Sequence, residues 1–100
     1  MIKHIVFWKF LDQAEGAGKN ANLAKARDLL QGLPEEIPQI RLLEVAVGVQ
    51  PSPQSYDLVL YSHFDDLESL AAYQRHPAHL RVVEFLRKVQ SARAVVDYEA

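Results

Sequence analysis

The sequence predicts one α+β domain in which strands and helical regions follow the order βαββαβ, giving a four-stranded antiparallel sheet with its helices on one face. Three observations predict it. Apolar alternation with a period of two marks segments at both ends of the chain and two more in its middle. Helical periodicity separates the first such segment from the second, and the third from the fourth. A short Pro- and Ser-containing turn, with no helix, joins the second to the third.

The first strand covers residues 2–10 and is rich in β-branched and aromatic side chains. Its even positions carry Ile2, His4, Val6, Trp8 and Phe10 and its odd positions Ile5 and Phe7, so both faces are largely apolar. A polar loop from Leu11 to Lys19, containing Gly16 and Gly18, leads to a helix over about residues 18–33 with Leu23, Ala26, Leu30 and Leu33 on one stripe. Gly32 and Pro34 mark its end. The second strand, residues 39–50, has Leu43, Val45, Val47 and Val49 on one face and Ile40, Leu42, Glu44, Ala46 and Gly48 on the other. After the turn at Pro51 to Ser55, a third strand from Tyr56 to Phe64 sends Leu58 and Leu60 one way and Asp57, Val59, Tyr61 and His63 the other.

Asp65 and Glu68 have the spacing of a capping box and predict a helix running to about Arg75. Pro77 interrupts it. The residue before a proline avoids helical geometry while proline suits a first helical position, so a second helical piece runs from about Ala78 to Val89, burying Val82, Phe85, Leu86 and Val89. A strand from about Ala92 to Glu99 completes the pattern, which is the ferredoxin-like, or split βαβ, arrangement.

With 100 residues and no linker, the chain reads as a single domain over residues 1–100. A hydrophobic share of 49% with few Gly and Pro supports a folded core rather than a disordered chain. The net charge of −2, with both signs mixed along the sequence, lacks the positive field that nucleic acid binding needs. The absence of cysteine excludes disulfides and thiolate chemistry. Lys3 and His4 break the apolar run a secretory signal requires, which points to a cytoplasmic location, and no apolar run approaches the ~20 residues that span a bilayer.

Two helices cover only one face of a four-stranded sheet, yet the first strand is apolar on both. The expectation is therefore a homodimer, two sheets closing face to face around an enclosed space, with Val6, Trp8, Val59 and Tyr61 on the helix-free side. At roughly 25 cal/mol per Å² of apolar surface, covering them contributes several kcal/mol.

Four stretches carry a family resemblance: Lys3-His4-Ile5-Val6-Phe7-Trp8-Lys9-Phe10, then Tyr56-Asp57-Leu58-Val59-Leu60, then Tyr73-Gln74-Arg75-His76-Pro77-Ala78-His79, and last Val95-Val96-Asp97-Tyr98. Together they resemble the stress-responsive α/β-barrel (Dabb) domain across essentially the whole chain. The resemblance implies a dimeric α/β-barrel, an architecture shared with small cofactor-free monooxygenases and lactone isomerases. One plant branch of similar pattern is a polyketide cyclase, and by position His79 matches its catalytic His, Tyr73 its Tyr and His4 a further pocket His. Asp57 stands where that cyclase has another His, and the first helix here has no Tyr, so the resemblance implies a small-molecule pocket and carries over neither the cyclase's substrate nor its reaction.

Each candidate has a functional and a structural reading. His79, in the first turn of a helix, sits where the positive helix end favours a neutral imidazole able to accept a proton; it could equally pack and bond a backbone carbonyl. Tyr73 is either a hydrogen-bond donor to a substrate oxygen or a core residue. His4 and Asp57, polar on apolar faces, either satisfy each other or form a network with His79 and Tyr73. Trp8 stacks on a ligand or simply packs, and His76 serves the turn before Pro77. No metal is expected, since His4, Asp57, His63, His76 and His79 fall in no recognised ligand spacing, and no organic cofactor. Arg75, Arg81, Arg87 and Lys88 read as a solvated helix face.

Two functions follow. In one, a pocket lined by His4, Val6, Trp8, Asp57, Val59 and Tyr61 binds a small hydrophobic or aromatic molecule, with His79 as general base and Tyr73 as donor for cyclisation, isomerisation or oxygenation. In the other, the barrel is a packed dimer core of a non-catalytic stress-response or structural protein. A cavity of about 300 Å³ or more distinguishes the first from the second.

Overall fold

The structure, a computed structural model, describes residues 1–100. Strand β1 (Ile2–Phe10) is followed by a small hairpin of β2 (Gln13–Ala14) and β3 (Ala17–Gly18), helices α1 (Lys19–Gln31) and α2 (Leu33–Glu36), and strands β4 (Leu42–Val47) and β5 (Leu58–Phe64). Helices α3 (Leu67–Arg75) and α4 (Pro77–Val89) then lead into β6 (Gln90–Glu99). The main sheet has the order β4-β5-β1-β6, antiparallel throughout, which is the ferredoxin-like α+β arrangement. No helix is long and apolar enough to cross a membrane.

Central β1 pairs with two neighbours, and its register decides which side chains meet the helices. His4 lies opposite Ser62, Val6 opposite Leu60 and Trp8 opposite Leu58, while Ile5 lies opposite Tyr61 and Phe7 opposite Val59. Opposed residues of an antiparallel pair share a face. The even positions of β1 therefore join Leu58, Leu60 and Phe64 in the core beneath the helices, with Leu23, Ala26 and Leu30 of α1 and Val82, Leu86 and Val89 of α4 packed over them.

This corrects the placement of Val6 and Trp8, which are 1% and 3% exposed under the chain's own helices instead of lying on the helix-free side. Val59 and Tyr61 do lie on that side, beside Ile5 and Phe7. Alternation shows which residues of one strand share a face but not how that face aligns with the neighbouring strand, because a slip of one residue exchanges the sets. The helix-free face remains apolar, with Phe7, Leu42, Val96 and Tyr98 each more than a third exposed.

Local differences from the sequence reading have physical causes. The polar loop after β1 contains the β2–β3 hairpin, whose turn residues Glu15 and Gly16 have φ of 53° and 73°, the paired positive values of a two-residue hairpin turn. Buried Asn22 ties it to α1 by donating from Nδ2 to Ala14 O at 3.0 Å. The predicted long helix divides at Gly32, and Leu33 starts α2 with Pro34 in its first turn. The second strand is shorter than its apolar pattern; it ends at Val47, and Gly48 N donates to Asp57 O at 2.8 Å. A Cβ at Gly48 would lie 3.0 Å from Tyr56 O, so this close approach favours glycine.

The cap of α3 is Asp66, not Asp65: Asp66 Oδ1 accepts from Ser69 N at 2.7 Å. Asp65 is instead held by Arg41, whose Nη2 donates to Oδ2 at 2.7 Å. Replacing the cap, Asp66→Ala, is expected to destabilise the fold by about 1 kcal/mol in urea unfolding at fixed protein concentration. Asp65→Ala should leave the midpoint nearly unchanged, and the reverse order would contradict this assignment.

Candidate functional site

A cleft of about 310 Å³ lies between the helix-facing side of β1 and β6 and helices α3 and α4. Val6, Trp8 and Leu60 form its apolar floor, and Val82, Val83 and Leu86 of α4 its opposite wall. Into this setting the chain brings His4 from β1, Tyr73 from α3 and His79 from α4.

The break between α3 and α4 positions two of these. His76, extended at φ −65° and ψ 136° before Pro77, caps α4 by accepting the Ala78 N–H on its Nδ1 at 3.0 Å. Ala78 N is the group that an uninterrupted helix would aim at Gln74 O. That carbonyl is freed, and His79 Nδ1–H donates to it at 3.0 Å. The bond fixes the tautomer of His79 and leaves Nε2 with an unshared lone pair. Burial holds the His79 pKa below its ordinary value of 6.5; the Gln74 carbonyl opposes this, and His4, Arg93 and His76 add to it. The ring is thus neutral near pH 7.

Tyr73 is 1% exposed, and its ring packs against Phe64 at 4.9 Å and His79 at 4.4 Å between centroids. Its hydroxyl is buried without a hydrogen-bond partner. Burial pushes its pKa far up, against a smaller opposing effect of Arg93, so the hydroxyl remains a neutral donor. An orphaned buried hydroxyl costs about 1–3 kcal/mol, which a ligand oxygen would relieve.

His4 is buried 6.0 Å from the Tyr73 ring, and its Nδ1–H donates to Asp97 Oδ1. Asp97 stands directly across the β1–β6 ladder from it. The anticipated Asp57–His4 network is not formed. Asp57 Oδ2 accepts from Phe10 N at 2.8 Å, with Lys19 Nζ at 3.6 Å, securing the end of β1 where the β1–β6 register shifts.

The expected site residues thus divide into two groups. His4, Val6, Trp8, Tyr73 and His79 share the cleft, whereas Asp57 supports the end of β1 and Val59 and Tyr61 occupy the other face. Tyr61 OH there meets His63 Nε2 at 2.8 Å. His76 is a cap. The sequence reading missed Asp97 and Arg93 of β6 and placed Arg87, which lines the cleft, on a solvated face. The signal for Asp97 was a lone acid within Val95-Val96-Asp97-Tyr98. No group of three or more His, Asp or Glu side chains gathers in an arrangement suited to a metal ion.

Residues 2–100 match the family described as the stress responsive A/B barrel domain. The chain belongs to this Dabb family. Over 100 residues the Dabb domain is 31% identical to an uncharacterised protein of Streptomyces coelicolor, covering 99% of both chains. It is 32% identical to a dimeric ferredoxin-like protein of unknown function from Bacteroides fragilis, with a TM-score of 0.88 over 99% of this chain and 95% of that one. A hydroxynitrile lyase from Passiflora edulis shares the fold at 16% identity, with a TM-score of 0.79 over 97% of this chain and 90% of that one.

The lowered His79 pKa has a stability consequence of definite sign. The unfolded chain takes up the His79 proton at about 6.5, before the folded chain does, so this group removes stability from the Dabb domain as pH falls below that value. The loss levels off below the folded pKa. NMR titration should place the His79 midpoint below 6.5, and unfolding of wild type against His79→Gln should show wild type losing relative stability between those two values. A His79 midpoint above 6.5 would contradict the burial described.

Proposed function

We propose that this Dabb domain is a homodimer in which each protomer binds a small hydrophobic or aromatic molecule in its helix–sheet cleft, and that His79 and Tyr73 act on it by acid–base chemistry using side chains alone. The observation that carries this reading is the pairing of a free imidazole Nε2 with an unpartnered hydroxyl in one largely apolar cleft. The reaction class it suits is proton abstraction next to a carbonyl. His79 Nε2 takes the proton from carbon, the electron pair moves to the carbonyl oxygen, and the Tyr73 O–H stabilises the enolate by hydrogen bonding. Return of the proton from His79 to a second carbon completes an isomerisation. Attack of the enolate on another carbonyl within the same molecule forms the new carbon–carbon bond, and return of the proton from His79 to the resulting alkoxide completes a cyclisation.

The dimer is supported by the apolar helix-free face and by the Bacteroides fragilis relative being dimeric. The Passiflora edulis neighbour supports the view that this fold accommodates an enzyme. The competing packed-core reading is disfavoured by the unfilled cleft of about 310 Å³.

Exchange of α-protons of small aryl ketones in D2O, followed by NMR, tests the chemistry. His79→Ala should slow exchange by about 10²–10⁴ and Tyr73→Phe by a smaller factor. Unchanged rates in His79→Ala would remove the catalytic assignment. For the assembly, sedimentation should give a dimer for wild type and a monomer for Phe7→Glu; a monomeric wild type would refute the homodimer.

A further inference from the structure

The cleft is mostly apolar, yet two guanidinium groups border it with nothing to neutralise them. Arg93 stands opposite Trp8 on the β1–β6 ladder and faces the helices, and Arg87 belongs to the last turn of α4; both line the cleft. Arg41 is engaged by Asp65 and Arg81 by Glu36, and Arg27 and Arg75 do not line the cleft. Three acids of this part of the fold have other partners. Glu84 and Glu15 approach Lys88 at 4.0 and 3.9 Å, and Asp97, on the same side of β6 as Arg93, is held by His4. Neither Arg87 nor Arg93 makes a salt bridge or side-chain hydrogen bond.

We propose that the molecule bound in this cleft carries a carboxylate, held by Arg93 with Arg87 beside it, while its apolar body rests on Trp8, Val83 and Leu86. This deepens the ligand-binding reading above and rests on it. A guanidinium fork matches the planar carboxylate with two parallel hydrogen bonds, and the adjoining apolar wall strengthens the attraction by lowering the local dielectric. A phosphate fits less well. The helix start nearest the cleft, that of α4, offers no cradle of free amides, since Pro77 has no N–H and Ala78 N–H is already given to His76 Nδ1. The volume, at the small end for ligand pockets, suits about one ring with a short chain.

Trp8 is the chain's one tryptophan and lies in the cleft, so its fluorescence reports binding there. Titrations at low ionic strength with phenylacetate, phenylacetamide and phenyl phosphate test the proposal in the full chain. Phenylacetate should bind about tenfold more tightly than phenylacetamide. Arg93→Gln should abolish that preference, and Arg87→Gln should reduce it. Both side chains are exposed, and circular dichroism checks that each variant folds. Equal binding of acid and amide by wild type, or a preference that survives Arg93→Gln, would overturn the carboxylate assignment while leaving the cleft as a ligand site. Tighter binding of phenyl phosphate than of phenylacetate would overturn it in favour of a phosphate. No response of Trp8 to any probe would overturn both this assignment and the ligand-binding reading beneath it.

Discussion

The register of β1 against β5 is the constraint on which the rest of the molecule depends. With Val6 opposite Leu60 and Phe7 opposite Val59, the even side chains of the central strand go under the helices and the odd ones onto the free face. His4 and Trp8 thereby enter the cleft, and Ile5 and Phe7 join Val59, Tyr61, Val96 and Tyr98 on the surface available to a second subunit. A slip of one residue would reverse both assignments at once and place His4 outside the protein. Asp57 helps hold this register, since its carboxylate bonds Phe10 N and its own N–H reaches Trp8 O, both at 2.8 Å. Its contribution to the site is mechanical.

The interrupted helix is the second organising feature. A continuous helix through Tyr73 and His79 would join Gln74 O to Ala78 N and leave no carbonyl for the imidazole. Pro77 prevents continuity, His76 claims Ala78 N, and the orphaned carbonyl captures His79 Nδ1. The ring is thus oriented by a helix end, and the same break brings it against Tyr73 with 4.4 Å between ring centroids. His4, fixed by Asp97 on the next strand, closes the group from the sheet side. Two layers of the sandwich therefore contribute to one cleft.

Much of the fold was legible in the sequence because it rests on short-range signals. Alternation in residues 2–10, the stripe Leu23, Ala26, Leu30, and the proline at position 77 identified strands and helices, and the His-Pro-Ala-His segment pointed to the helix break. Register was not legible, since Val6 and Trp8 could be matched with Val59 and Tyr61 as easily as with Leu58 and Leu60 until the pairing was known. The partner of His4 was hidden for the same reason. Asp97 is 93 residues away, and only the β1–β6 ladder brings it into contact. The cap of α3 moved one position because Arg41, remote in sequence, engages Asp65.

Xenon placed into crystals of the protein would test most directly where the interior space lies. The account predicts one site in each protomer, between α4 and the sheet and bordered by Trp8 and Val83. Xenon lodged between the two sheets, with the helix–sheet cleft closed by side chains, would contradict it.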